Sequence, residues 1–297
     1  MYRLGIVDFD SSHCVEFTWR LNHARLDRDQ FVDGARVVAG CPGRSDMSPE
    51  RIPGFLTELQ RLGIEIVSQP EELIGRIDAV LVLSICGAAH LARVKPFLEA
   101  GIPAFVDKPF ACSVSDAFEM IRLANQHDVF LMSASGMRFA DETLRLREQQ
   151  TQFGPLHGAV VYGPAKRAVG NPGLFHYGIH SVELLLEIMG TGCESVMTTF
   201  SDGAEVVTGR WSDGRIGSIR GNRQGSTAYG FVAFCERGVI PQAVSTRYSY
   251  RNLLRALVAS LDTRKPAVAL QSSLEVVQFI EASLLSEQAG GASVRLK

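Results

Sequence analysis

The sequence predicts an α/β fold, a doubly wound parallel sheet followed by an α+β domain with a mainly antiparallel open sheet. Two features predict it. Short apolar runs alternate with amphipathic helical stretches up to about residue 136, and beyond that point the rhythm changes to closely spaced strand-like runs.

In the first half the strand candidates are Tyr2–Val7, Ala35–Gly40, Glu65–Val67, Ala79–Ser84, Ala104–Val106 and Val129–Ser133. They are rich in Val, Ile, Leu and Ala and rarely carry a charge, as befits strands buried on both faces. Between them lie helices over Cys14–Ala24, Ile52–Leu62, Leu91–Ala100 and Val114–Gln126, the last opened by Ser113 as an N-cap. Strictly alternating strand and helix implies crossovers of one hand and a parallel sheet. In the second half a helix near Ala140–Gln150 precedes a strand at Leu156–Tyr162, a Gly/Pro loop and an apolar helix at Ile179–Met189. From Ser195 to Val239 short runs broken by Asp213-Gly214, Gly221-Asn222 and Arg237-Gly238 read as an antiparallel meander with tight turns. Helices at Tyr250–Leu261 and Ser273–Glu287 close the chain.

Composition excludes several classes. A formal net charge of −2, with Lys and Arg scattered, leaves no electropositive footprint for nucleic acid. No apolar run approaches a membrane span, and Met1 leads straight into a strand without a basic leader, so no membrane partner and a cytoplasmic location are expected. The six cysteines form no CxxC pair and read as free thiols of a reducing compartment.

Two stretches carry chemistry. Val106-Asp107-Lys108-Pro109 ends a short strand, and ligand groups of open parallel sheets gather at strand carboxyl ends. Lys108 there is a proton donor or a substrate-orienting cation, against the plainer reading of a solvated lysine. Gly173 to Glu183 enters the apolar helix; if the segment is helical, His176 and His180 share a face, with Glu183 three further on. One such histidine can relay a proton; a metal needs a third ligand at clear spacing, which is missing, so no metal is expected.

These stretches together resemble the glucose-fructose oxidoreductase, inositol dehydrogenase and MocA family (Gfo/Idh/MocA) over nearly the full chain. Asp107-Lys108-Pro109 is similar to its Glu-Lys-Pro motif, Asp78–Ser84 with His90 to its fourth strand and following histidine, and Arg138-Phe139 to its Arg-aromatic pair. Gly154-Pro155-Leu156 resembles its Gly-x-Leu/Ile turn, Gly178 and His180 its Asp-x-Gly-x-His signature, and Pro266–Ser286 its closing helix. The resemblance implies a Rossmann-like dinucleotide-binding domain over 1–136, and a substrate-binding and oligomerisation domain over 137–297. It also implies hydride transfer between NAD or NADP and a secondary alcohol, ketone or imine of a small polar, sugar-like or acidic metabolite. Lys108 and His180 would stand beside the nicotinamide, with His176 as a further acid/base group and with Arg138, Tyr177 and His176 on the substrate. The signature aspartate is His176 here and the trailing aspartate is Glu183. A donor or cation has thus replaced an acceptor, and an anionic substrate would suit His176, Arg138 and Lys108.

The cofactor loop departs most. By the resemblance the fingerprint glycines fall on Asp8, Asp10 and His13, where two carboxylates would repel a diphosphate by on the order of a kcal/mol each. Ser11, Ser12 and His13 still offer donors beside a helix start, and an Asp-Ser-Ser-His run is similar to the first loop of a glycine-poor branch of the family. Arg44 and Ser45, where NAD enzymes carry an acidic residue, favour NADP over NAD. Ser84 and His90 complete the expected cofactor contacts. Two other classes compete: a non-redox elimination or isomerisation using Lys108, His176 and His180, and a catalytically silent homologue. Weak alternation over Gly230–Cys235 suggests a sheet face that packs in a homodimer or homotetramer.

Overall fold

A computed structural model describes the backbone of residues 1–297 and the side chains of all but Arg147, Gln150 and Thr151. It divides into two compact units, Met1–Ala134 with Tyr250–Leu270, and Ser135–Ser249 with Gln271–Lys297.

In the first unit β1 (Tyr2–Val7), β2 (Ala35–Cys41), β3 (Glu65–Ile66), β4 (Ala79–Val82), β5 (Ala104–Val106) and β6 (Leu131–Met132) form one sheet in the order 3-2-1-4-5-6. All its pairings are parallel. The strands are apolar because both faces are covered: Leu4, Ile6, Val80, Val82 and Phe105 are all buried. Helices α1 (His13–Leu21) and α2 (Ile52–Arg61) pack together, as do α3 (His90–Glu99) and α4 (Val114–Gln126). The Ser113 hydroxyl accepts the Asp116 N–H at 3.1 Å, the cap expected from the sequence. The order reverses direction between β1 and β4, so the crevice of this sheet opens at the carboxyl ends of those two strands.

One expectation needs correction here. A division at residue 136/137 assigns everything downstream to the second domain, yet 250–270 belongs to the first unit. Helix α7 (Ser249–Thr263) buries Leu253, Leu254, Leu257 and Leu261. Gly34 lets it approach, because a β-carbon there would meet a Val258 methyl at 2.7 Å. Burial of that stripe, worth about 1.5–3 kcal/mol per large side chain, outweighs its place in the sequence.

The second unit holds α5 (Asp141–Phe153), β7 (Leu156–Pro164), α6 (Ile179–Met189), β8 (Cys193–Ser201), β9 (Ala204–Trp211), β10 (Ile216–Asn222), β11 (Tyr229–Cys235), β12 (Gly238–Val244), most of α8 (Leu270–Gln288) and β13 (Val294–Arg295). The seven strands lie in the order 12-11-7-10-9-8-13. Pairing is antiparallel except that β10 runs parallel to β7, so the unit is not a simple meander. Gly221-Asn222, expected as a turn, ends β10 opposite Glu205 and Ala204. Helices α6 and α8 cover one face: α6 packs on β7 and β10, and the Ser286 hydroxyl of α8 accepts the Thr198 N–H at 2.9 Å.

Candidate active site

The loop after β1 keeps the backbone of a glycine turn while carrying side chains. Asp8 has φ 68°, in the left-handed region that aspartate tolerates better than most residues. Its Oδ2 accepts from the Ser84 hydroxyl at 2.5 Å and from Arg93 Nε at 2.9 Å, so one carboxylate ties the end of β1 to the end of β4. Oδ1 is buried with no partner among the described residues, at a cost of about 1–3 kcal/mol. It lies 1.7 Å from where a β-carbon on residue 43 would stand, which leaves that position to glycine.

The other two fingerprint positions also turn inward. Asp10 is 3% exposed; its Oδ1 accepts the Ile85 N–H at 3.0 Å and its carboxylate bonds the Ser45 side chain. Burial pushes this carboxyl above its ordinary range, with Ser45 and Ile85 pulling the other way. His13 Nδ1 lies 2.6 Å from Asp107 Oδ2 and Nε2 lies 2.9 Å from the Tyr250 hydroxyl. Burial alone would raise the Asp107 carboxyl, but the charges of His13 and Lys108 and the bonds from both hold it down to about 2.

Lys108 follows β5, half-buried, with its backbone N–H donating to Asp107 Oδ1 at 2.8 Å. Its ammonium enters no ion pair among the described residues. Other expected cofactor residues have structural work instead. His90 is fully buried, with Nδ1 2.8 Å from the Pro109 carbonyl and Nε2 2.9 Å from the Ser84 carbonyl, so it joins the turns after β4 and β5 and presents no face to a ligand. The Ser84 hydroxyl is spent on Asp8 and that of Ser45 on Asp10, Met47 N and Ser48 N. Arg44 is exposed on the loop after β2. The Ser11 hydroxyl accepts the His13 N–H at 3.3 Å, whereas Ser12, half-exposed at the start of α1, caps nothing with its hydroxyl.

These residues fit a dinucleotide in an altered way. The bare backbone cradle is filled by Asp8, Asp10 and His13, but all three are turned onto protein partners, and the Ser12 hydroxyl and the Lys108 ammonium remain as donors for an anion.

In the second unit His180 sits in the first turn of α6, its Nδ1 2.7 Å from the Ser135 hydroxyl and its ring 6.0 Å from that of Tyr229. His176 lies before the helix, after a 3-10 turn at Gly173–Phe175, so the two histidines do not share a helical face as expected. Gly178 lies tight against this turn, because a β-carbon there would meet a Leu174 methyl at 2.3 Å. Tyr177 is 43% exposed, its ring 4.9 Å from that of His176. Arg138, expected on the substrate, is committed to protein partners. It is 2% exposed and gives Nε to Glu183, Nη1 to Glu187 at 3.0 Å and Nη2 to Ser272 at 3.0 Å, leaving no nitrogen uncommitted for a substrate.

Arg93, Tyr250 and Ser135 were not foreseen. Arg93 had a weak signal, a lone arginine one turn into a helix beside the crevice; Tyr250 is 237 residues from His13 and gives no local pattern. Among the described residues no group of three or more His, Cys, Asp or Glu is placed to hold a metal, and no helix is long and apolar enough to cross a membrane.

Residues 46–135 match the family model described as oxidoreductase family, NAD-binding Rossmann fold. That segment contains Lys108 and begins downstream of the altered loop. An inositol 2-dehydrogenase/D-chiro-inositol 3-dehydrogenase of Halalkalibacterium halodurans is 30% identical over 113 residues, which is 37% of this chain and 31% of the relative, so the match spans about a third of that enzyme. Among solved structures, a probable dehydrogenase from Thermotoga maritima superposes with a TM-score of 0.79 at 20% identity, covering 99% of this chain and 98% of that one. Scyllo-inositol dehydrogenase from Lactobacillus casei, with NAD(H) and scyllo-inositol bound, gives 0.80 at 15% identity, covering 100% and 99%. At such identities these likenesses show the fold. Residues 46–135 thus match the Gfo/Idh/MocA oxidoreductase family by sequence, and the whole chain shares the fold of these dehydrogenases.

Proposed function

We propose that the chain is an NAD(P)-dependent oxidoreductase of a small polar, sugar-like or acidic metabolite. The observation that carries this is Lys108 at the carboxyl end of β5, in a sheet of order 3-2-1-4-5-6. A bound nicotinamide would supply the hydride acceptor or donor. Ser12 and Lys108 would hold the cofactor in the first unit, and Lys108 would orient the substrate oxygen. In the second unit His180 would hold or release the proton; its Ser135 partner, a hydroxyl, can donate or accept and so supports the ring in either state. His176 and Tyr177 are the remaining substrate-binding groups. Arg44, exposed after β2 with no carboxylate at the strand end, favours NADP. Titration with NADH and NADPH, followed by nicotinamide fluorescence, tests the reading: binding of at least one supports it, and binding of neither by folded protein sinks it. The filled cradle favours a second reading for that outcome, a non-redox elimination or isomerisation with Lys108, His176 and His180 as acid/base groups.

We also propose self-association through the sheet face of the second unit that α6 and α8 leave uncovered. Met197, Ile216, Phe234 and Val239 are 52%, 59%, 41% and 54% exposed on its strands. Light scattering at micromolar concentration should give a homodimer or homotetramer; a monomer rejects the idea.

A further inference from the structure

Arg93 stands in the first turn of α3, and only its Nε is committed, to Asp8. Its two terminal amino groups bond to nothing among the described residues, and the side chain is 32% exposed while its Asp8 partner is 2% exposed. An arginine present only to neutralise a buried aspartate would be expected to spend its fork on both carboxylate oxygens. Here Oδ1 is left unpartnered and the fork is left free. A guanidinium held through Nε presents a planar pair of amino groups, the geometry that matches phosphate and carboxylate oxygens.

Its anchor is built to be rigid. Asp8 is fixed by the Ser84 hydroxyl, by burial and by its left-handed backbone. It also occupies the first fingerprint position, where glycine would let backbone amides approach a diphosphate. The same aspartate that blocks this approach draws a guanidinium to the crevice at the ends of β1 and β4.

We propose that Arg93 binds a phosphate oxyanion of the nicotinamide cofactor in place of the glycine-loop amides, with Asp8 as its positioning residue. This rests on the NAD(P) reading above. Asp8 then compensates for the missing glycine.

Fluorescence titration of the full chain with NADH and NADPH decides it. Arg93→Gln, and the double variant Asp8→Asn with Arg93→Gln, should each weaken binding by at least about tenfold. The double variant leaves no buried carboxylate unpaired and so guards against misfolding, which a thermal melt checks. Arg93→Lys should weaken binding as well, since one ammonium cannot face both Asp8 and a ligand across a plane. Equal loss for both nucleotides assigns the diphosphate; loss for NADPH alone assigns the 2′-phosphate. Wild-type affinity should also fall more steeply with added salt than that of the double variant, which a purely structural pair would not produce. If the folded double variant binds both nucleotides within about twofold of wild type, the proposal is overturned and the cofactor reading stands. If the wild type binds neither, both fall.

Discussion

The His13 imidazole and the Asp107 carboxylate lie 2.6 Å apart, both buried, and join the loop after β1 to the turn that carries Lys108. The last fingerprint glycine is thus replaced by a clamp on the motif residue beside Lys108. Removing the ring leaves Asp107, 1% exposed, with Lys108 as its one remaining polar partner among the described residues. His13→Ala should therefore cost about 3–5 kcal/mol of stability by denaturant unfolding. A loss below about 1 kcal/mol would mean the pair is not coupled as described.

The same pair sets an acid limit. Burial would raise the Asp107 carboxyl, but His13 and Lys108 hold it down to about 2, below its ordinary value near 3.8. A carboxyl depressed on folding stabilises above its unfolded value and loses that contribution as pH falls through the folded one. Asp107 should thus contribute about 2 kcal/mol at neutral pH, lost between about pH 4 and pH 2. Melting temperatures across that window should fall less steeply for Asp107→Asn than for wild type. Parallel curves would remove the assignment.

Arg138 separates a structural role from a substrate role. With its nitrogens on Glu183, Glu187 and Ser272, replacement by Met strands two carboxylates, and stability should fall by about 3–5 kcal/mol. Whatever folded protein remains should bind acidic ligands as the wild type does. A stable variant with weakened binding would return Arg138 to the substrate.

The sequence made the parallel sheet legible because buried parallel strands read as uninterrupted apolar runs, and Ala104–Val106 and Val114–Gln126 end where the runs end. It placed Lys108 for the same reason, since a strand end is a local feature. What escaped was long-range. That Arg138 is neutralised by Glu183 depends on α6 packing against the 3-10 turn at Gly136–Phe139, and that His13 meets Tyr250 depends on α7 returning to the first unit. The Asp8 carboxylate looked repulsive because its partner Arg93 lies 85 residues away. The His176–His180 pairing failed because the helix starts at Ile179, as its apolar run indicated, and leaves His176 outside it.

His180 offers the most direct test of proton chemistry. The Ser135 hydroxyl already accepts the Met137 N–H at 3.2 Å, so its own hydrogen is free to point at Nδ1, 2.7 Å away. The neutral ring should then carry its proton on Nε2. Nitrogen NMR of the labelled imidazole should show that tautomer in wild type and a mixture in Ser135→Ala. The Nδ1-protonated form in wild type would reverse the assignment and leave Ser135 as the acceptor. If His180 is the acid/base group, His180→Asn should lower turnover of whatever alcohol the enzyme accepts by about 10²–10⁴-fold. Ser135→Ala, which leaves the imidazole in place but its tautomer unfixed, should cost less and shift the pH profile instead.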